Sequence, residues 1–256
     1  MASYPVSAVK RAHDVLQVLV EEGTAGATSV AAALDIPKST AHDHLRTLER
    51  IGYVLNEGGT YRLSTRFLDL GEIARNNDEL FAQGREEAFR LSRRVDETGY
   101  VQLATEEHGR CAVLLAPRLQ RESLEQQSTT YPRRPHLHSN APGKAILATV
   151  DAESVERILA NHGLPRWTDD TITDREVLFE ELEHIREVGF AVDDSELLPG
   201  MTGVAAPIVT DETVHGAIAV YSASGRFPTD PAESAFVELV RESADEIEAN
   251  LIFAQD

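Results

Sequence analysis

TSVAAALDIPKSTAHDHLRTLERIGYV, residues 28–54, is the stretch on which the reading of this chain turns. It divides into two short helical segments separated by a tight turn. The first carries Ala31, Ala32 and Ala33, whose small side chains permit a close helix–helix approach, with Thr28 as the expected cap. In the turn, Asp35 must face water because a buried unpaired carboxylate is costly, Ile36 can plug the junction, and Pro37 suits the first turn of the next helix. In the second segment Ala41, Leu45 and Leu48 recur at spacings of four and three, which is one face of a helix. Ser39, Asp43, Arg46 and Arg50 make a polar row on the other side, with Thr40 and His42 beside it. A helix pair with one apolar and one hydrogen-bonding face is what places a second helix in a DNA major groove. Any helical domain can contain two short packed helices, so the segment needs support from its neighbours.

That support follows at once. Residues 51–55, IGYVL, and 60–63, TYRL, are β-prone runs on either side of Asn56-Glu57-Gly58-Gly59, the composition of a hairpin turn. A hairpin directly after such a helix is a wing, and Arg62 can carry it to a phosphate.

Residues 6–70 resemble the N-terminal winged helix-turn-helix of the IclR family of transcriptional regulators. The likeness is carried by Ile36-Pro37-Lys38-Ser39-Thr40-Ala41-His42, Leu45-Arg46-Thr47-Leu48-Glu49 and Tyr61-Arg62-Leu63, in order and at the family's separations. One departure stands out: family members often place Arg where this chain has Asp43. A carboxylate repels phosphate but can accept from cytosine N4, and Asp43 is read as a solvated bystander rather than a base reader.

Charge is distributed unevenly. The 256 residues carry a formal net charge of −19, an awkward value for a protein that must neutralise phosphates. Residues 1–70 hold seven basic against eight acidic side chains, a net of −1, so −18 falls on the remainder. A near-neutral reader joined to an acidic body is the split that a DNA-binding regulator requires. Lysine occurs only at Lys10, Lys38 and Lys144. Acid excess with Arg in place of Lys resembles proteins of salt-accumulating archaea, in which concentrated salt would shorten surface electrostatics to ~3 Å at 1 M. The single cysteine, Cys111, rules out an intrachain disulfide and suits a reducing cytoplasm. No signal segment or apolar run of membrane-spanning length is present, so the expectation is a cytoplasmic protein with no membrane partner.

Along the rest of the chain, a first helix is expected from Val6 to the residues before Gly23, then a loop over residues 23–27 and a connector helix from Thr65. Asn76-Asn77-Asp78 marks the joint, giving a DNA-binding domain over residues 1–70, a linker helix over 71–78 and a second domain over 79–256. In that second domain, strands are expected at 100–105, 111–116, 190–193, 204–209 and 214–221, and helices at 79–95, 152–161, 174–188 and 231–253, with residues 137–148 also entering a helix. Residues 120–135 read as a polar surface excursion. Neighbouring strands with helices at either end of the run indicate an α+β domain with an antiparallel sheet. This half resembles the GAF-like effector domain of the same family, in residues 138–148, in Gly189-Phe190-Ala191-Val192-Asp193-Asp194-Ser195-Glu196 with Gly200, and in Ala205-Ala206-Pro207-Ile208.

Asn140-Ala141-Pro142-Gly143-Lys144 precedes a helix whose free N–H groups and dipole favour an anion, although by sequence alone a plain helix start, with Pro142 near its first turn, is the stronger reading. They are not a P-loop, because the upstream glycine and following hydroxyl residue are missing. The resemblance implies an effector site between this helix start and the sheet, at Asn140, Ala141, Asp193, Gly203, Ala219 and Tyr221. Family members often carry Cys where Gly203 stands and Ser where Ala219 and Tyr221 stand, so the family's small 2-oxo acids do not transfer directly; Tyr221 suits a sugar or sugar acid. On a helix His42 and His44 face different directions, His136/His138 lack a nearby third ligand, and no Ser-His-Asp order or convergent acid/base set is present. The expectation is therefore no metal, no cofactor, no catalytic residue and no enzymatic activity.

Together these readings predict a sequence-specific transcriptional regulator of catabolic genes, repressor or activator, controlled by a small-molecule effector. It would act as a homodimer or homotetramer on double-stranded DNA, with Lys38, Ser39, Thr40, His42, Arg46, Arg50 and Arg62 at the interface. A sensor acting through protein partners and, more remotely, a metabolite-converting enzyme are the rival readings.

Overall fold

The computed structural model describes residues 4–95, 99–117, 134–211 and 213–254. The chain divides into two compact units, with the boundary between Arg75 and Asn76.

The first unit opens with α1 (Ser7–Glu22), which buries Val15, Val18 and Leu19. β1 (Ala25–Gly26) follows, then α2 (Ala27–Ala33) and α3 (Lys38–Arg50). β2 (Val54–Glu57) and β3 (Thr60–Leu63) form the wing, and α4 (Arg66–Asn76) leads out of it. The loop expected over residues 23–27 in fact contains a strand: β1 pairs with β3, Ala25 opposite Tyr61 and Gly26 opposite Thr60. Two residues are too few to show a period of two in sequence. The helix caps also differ from expectation. Gly26, not Thr28, precedes α2 without a side-chain cap, and Pro37 stands at the cap position of α3 rather than inside its first turn. One apolar cluster, including Val15, Leu19, Val30, Ala41, Leu45, Leu48, Val54 and Tyr61, ties the three helices to the wing.

The second unit begins with α5 (Glu79–Arg94), capped by the Asp78 carboxylate, which accepts from Phe81 N–H at 2.9 Å. β4 (Tyr100–Glu107) and β5 (Arg110–Leu115) follow. Their turn has His108 and Gly109 both at positive φ, 53° and 74°, as a two-residue hairpin demands. Then come α6 (Ala141–Thr149), α7 (Ala152–His162), α8 (Arg175–Val188), β6 (Ala191–Asp194), β7 (Met201–Thr210), β8 (Thr213–Ala223) and α9 (Ala235–Phe253). The five strands are antiparallel in the order β5-β4-β8-β7-β6. The pairing of β4 with β8 is long-range and had no local signal in the sequence. The polar excursion expected over residues 120–135 lies outside the described residues except at 134 and 135.

Alternation along β8 assigns the two faces of the sheet. Ile218 and Val220 join Leu80, Leu91, Leu103, Val240, Ile247 and Leu251 in the core beneath α5 and α9. Ala217, Ala219 and Tyr221 point the other way, into the core shared with α6 and α8. Apart from Tyr221, the strand residues buried on this second face are small, among them Ala104, Ala191, Ala205, Ala217 and Ala219, so α6 sits close to the sheet. All of its residues from Ala141 to Ala148 are buried. Gly143 is required there, since a Cβ would fall 2.2 Å from the Leu137 carbonyl oxygen.

Candidate nucleic-acid interface and effector cradle

The orientation of α3, the candidate reading helix, is set by its apolar face. Ala41, Leu45 and Leu48 are 0–4% exposed, which fixes α3 against the unit's core and turns the opposite face to solvent. Lys38, Ser39, His42, Asp43, Arg46 and Arg50 are exposed and Thr40 is half-buried. No ion pair or hydrogen bond to another described residue engages Lys38, Arg46 or Arg50, so three cations are available to an outside partner. The turn into α3 is held by Ile36 N–H donating to Ala31 O at 3.0 Å, with Ile36 packed on the core. Asp35 is exposed and adopts φ +50°, a conformation Asp tolerates. Asp43 points to water, 80% exposed, near His42.

On the wing, Gly58 and Gly59 have φ of +66° and +95°, and Asn56 Oδ1 accepts from Gly59 N–H at 2.9 Å. Arg62 is not idle: its Nε donates to Glu57 Oε1 at 2.8 Å. Both groups are largely exposed, and an exposed pair contributes only about 0–1 kcal/mol, which a phosphate can outbid. Arg66 turns inward instead, donating to the Ile51 carbonyl at 2.8 Å and lying over the Tyr53 ring.

In the second unit the residues around the start of α6 converge. Asn140 caps the helix, its Oδ1 accepting from Gly143 N–H at 2.9 Å while its Nδ2 donates to His136 O at 2.7 Å. The Ala141 N–H donates to the Tyr221 hydroxyl at 3.0 Å, and that hydroxyl donates to Asp193 Oδ2 at 3.1 Å. Gly203 lies opposite both Asp193 and Tyr221 in the sheet, and Ala219 lies two residues from Tyr221 on the same face. All six residues are brought together, but the cradle is closed. The Tyr221 ring, 1% exposed, lies across Gly203 and stacks on Tyr100 at 5.5 Å. Its oxygen occupies the helix N-terminus at which an anion would bind. Burial, with the nearby Glu196 charge, lifts the Asp193 carboxyl to about 7.

Beneath the cradle runs an ionic cluster. Lys144 Nζ donates to Glu196 and, at 3.1 Å, to Glu181, although the lysine is 1% exposed. Burial alone would lower its pKa, but Glu196 and Glu181 outweigh that and hold it above the ordinary lysine value. Among the described residues no group of three or more His, Cys, Asp and Glu side chains is arranged to hold a metal. Among the described residues no helix is long and apolar enough to cross a membrane.

Residues 8–58 match the IclR helix-turn-helix domain, and residues 76–249 match the domain described as bacterial transcriptional regulator IclR C-terminal. The chain belongs to the IclR family of transcriptional regulators. ArcR of Halobacterium salinarum, named as an HTH-type transcriptional regulator, is 30% identical over 257 residues, covering 96% of this chain and 94% of that one. The IclR transcriptional regulator of Alicyclobacillus acidocaldarius superposes with a TM-score of 0.76 at 25% identity, over 97% of this chain and 100% of its own. An IclR homologue of Microbacterium hydrocarbonoxydans, crystallised with 4-hydroxybenzoate, superposes with a TM-score of 0.74 at 24% identity, over 96% and 99%.

For this IclR-family chain, sequence reasoning missed Lys144, Glu181, Glu196 and Tyr100. Lys144 did carry a signal, as the only lysine after residue 38 in an acidic body. Gly203 and Tyr221 are coupled: a Cβ at Gly203 would lie 2.3 Å from the Tyr221 ring. Gly203→Ala is expected to cost about 1–3 kcal/mol from overpacking. In a Tyr221→Ser background that cost should largely vanish, as read by denaturant unfolding in a double-mutant cycle. Equal costs in both backgrounds would show that the ring does not dictate the glycine.

Proposed function

We propose that this IclR-family regulator acts in the cytoplasm as a homodimer or homotetramer on pseudo-palindromic operators of catabolic genes. Lys38, Ser39, Thr40, His42 and Arg46 read base edges in the major groove, while Arg50 and Arg62 hold phosphates. The observation that carries this reading is the outward face of α3, whose three cations have no partner among the described residues. Self-association is supported by α4, which buries none of its residues and exposes Leu68, Leu70 and Ile73. Paired reading helices would then address half-sites about 34 Å, or one helical turn, apart.

The cradle at Asn140, Ala141, Asp193, Gly203, Ala219 and Tyr221 receives the effector, a sugar acid or organic acid whose carboxylate replaces the Tyr221 oxygen on the Ala141 N–H. The closed geometry supports this as the resting state, and the relative crystallised with 4-hydroxybenzoate supports a small acid as the class. Gel shift with the DNA upstream of its own coding region, in concentrated KCl, tests the DNA half. Retardation of that duplex and not of a scrambled one is expected; no preference would overturn it. A thermal-shift screen of sugars, sugar acids and organic acids tests the other half.

Arg62→Ala should weaken all duplexes by a similar factor and lower the salt dependence of binding by about one phosphate's worth. A loss confined to one operator sequence would make Arg62 a base reader instead.

A further inference from the structure

A cleft of about 500 Å3 opens at the opposite end of α6 from the cradle, between α7, the β4–β5 turn and the start of β8. Its apolar wall includes Ile146, Ile158 and Val214, and its polar lining includes Arg157, Asn161 and His162. The charge there runs against the rest of the chain, in which 43 acidic residues outnumber 24 lysines and arginines. Glu106 is the one carboxylate among the described lining residues, and it is spent on the turn, where Oε1 accepts from Gly109 N–H at 2.5 Å. Arg157 has no carboxylate partner among the described residues. It donates only to Ser154 Oγ, at 2.9 Å, which steadies the guanidinium and leaves its other N–H groups open. The His162 ring is seated on Gly109, where a Cβ would come within 2.4 Å of Nε2. The volume falls in the range of small-molecule sites, and a few polar groups beside an apolar wall are the usual makeup of such sites.

We propose that this cleft is a second small-molecule site, separate from the cradle, and that it takes an aromatic monocarboxylate. The ring lies against Ile146, Ile158 and Val214. The carboxylate meets Arg157, with Asn161 and His162 as further donors. A carboxylate without a ring forfeits the apolar wall, and a ring without a carboxylate leaves Arg157 unpaired.

The test is isothermal titration of the full chain with benzoate, acetate and benzyl alcohol. Wild type should bind benzoate with a dissociation constant in the millimolar range or tighter, and the other two about tenfold more weakly. Arg157→Glu, at an exposed helix position that leaves the fold intact by circular dichroism, should weaken benzoate by about tenfold or more. Val214→Trp, which fills the cleft, should do the same. Arg85→Ala, at an exposed position of α5 outside both sites, should leave benzoate binding unchanged. Benzoate binding that survives both Arg157→Glu and Val214→Trp, or is absent in wild type, would overturn the proposal. Binding that survives both variants would place benzoate in the cradle and leave that reading intact, so the two sites fail separately.

Discussion

Lys144→Ala is expected to destabilise the second unit by about 3–5 kcal/mol, the cost of removing one partner from a buried ion pair. The cation is 1% exposed, and the two carboxylates it holds come from different elements: Glu181 from α8 and Glu196 from the segment between β6 and β7. Without it, Glu196, itself 7% exposed, is left with Asp193 nearby and one oxygen already lacking a partner among the described residues. Lys144 lies one turn past Ala141 on α6, so the same loss should loosen the contact between Ala141 and Tyr221. Because the chain has two units, chemical unfolding should be followed by a probe in the second alone, such as Trp167. Lys144→Met combined with Glu196→Gln should recover most of the stability, since an uncharged pair removes the buried charge rather than stranding it. A single-variant loss below about 1 kcal/mol would mean that water, not Lys144, solvates the cluster.

Arg46→Ala should weaken operator binding by more than tenfold while leaving the thermal unfolding of the protein unchanged. Arg46 projects from the face opposite Leu45 and Leu48 and contributes to no described ion pair, so its removal costs the fold nothing. If it donates to a guanine, the loss should be about 1–3 kcal/mol and confined to operators with that base pair. If it meets a phosphate, the loss should be spread evenly over all sequences. Unchanged binding would remove it from the interface. Asp43, the departure from the family pattern one turn earlier, offers a contrast: exposed and with no cation partner but His42 among the described residues, it should tolerate alanine with equal or tighter binding.

How much of this was legible in the sequence differs between the two units. In the first, local rules sufficed. The 3.6-residue spacing of Ala41, Leu45 and Leu48 set the orientation of α3, and the double glycine at 58 and 59 fixed the wing turn. What escaped was β1, a two-residue strand whose existence depends on the far side of the wing. In the second unit the strands could be located but not ordered, because the union of β4 with β8 brings together residues more than a hundred positions apart. The cradle residues were nominated by resemblance, and the closure of that cradle was not. Only coordinates show that the glycine at 203 and the tyrosine at 221 face each other, so that the ring fills the space a larger residue at 203 would deny it. Buried charge was invisible for a similar reason: Lys144, Glu181 and Glu196 meet only after α6, α8 and the sheet have packed.

Dimethyl sulfate interference on the bound operator tests the placement of α3 most directly, since it methylates guanine N7 in the major groove and adenine N3 in the minor groove. Binding should be blocked by methylated guanines in two clusters about one helical turn apart, and these should disappear selectively in Arg46→Ala or Lys38→Ala protein. Interference confined to adenines, or none at all on a duplex the protein retards, would place the reading face elsewhere and contradict the account.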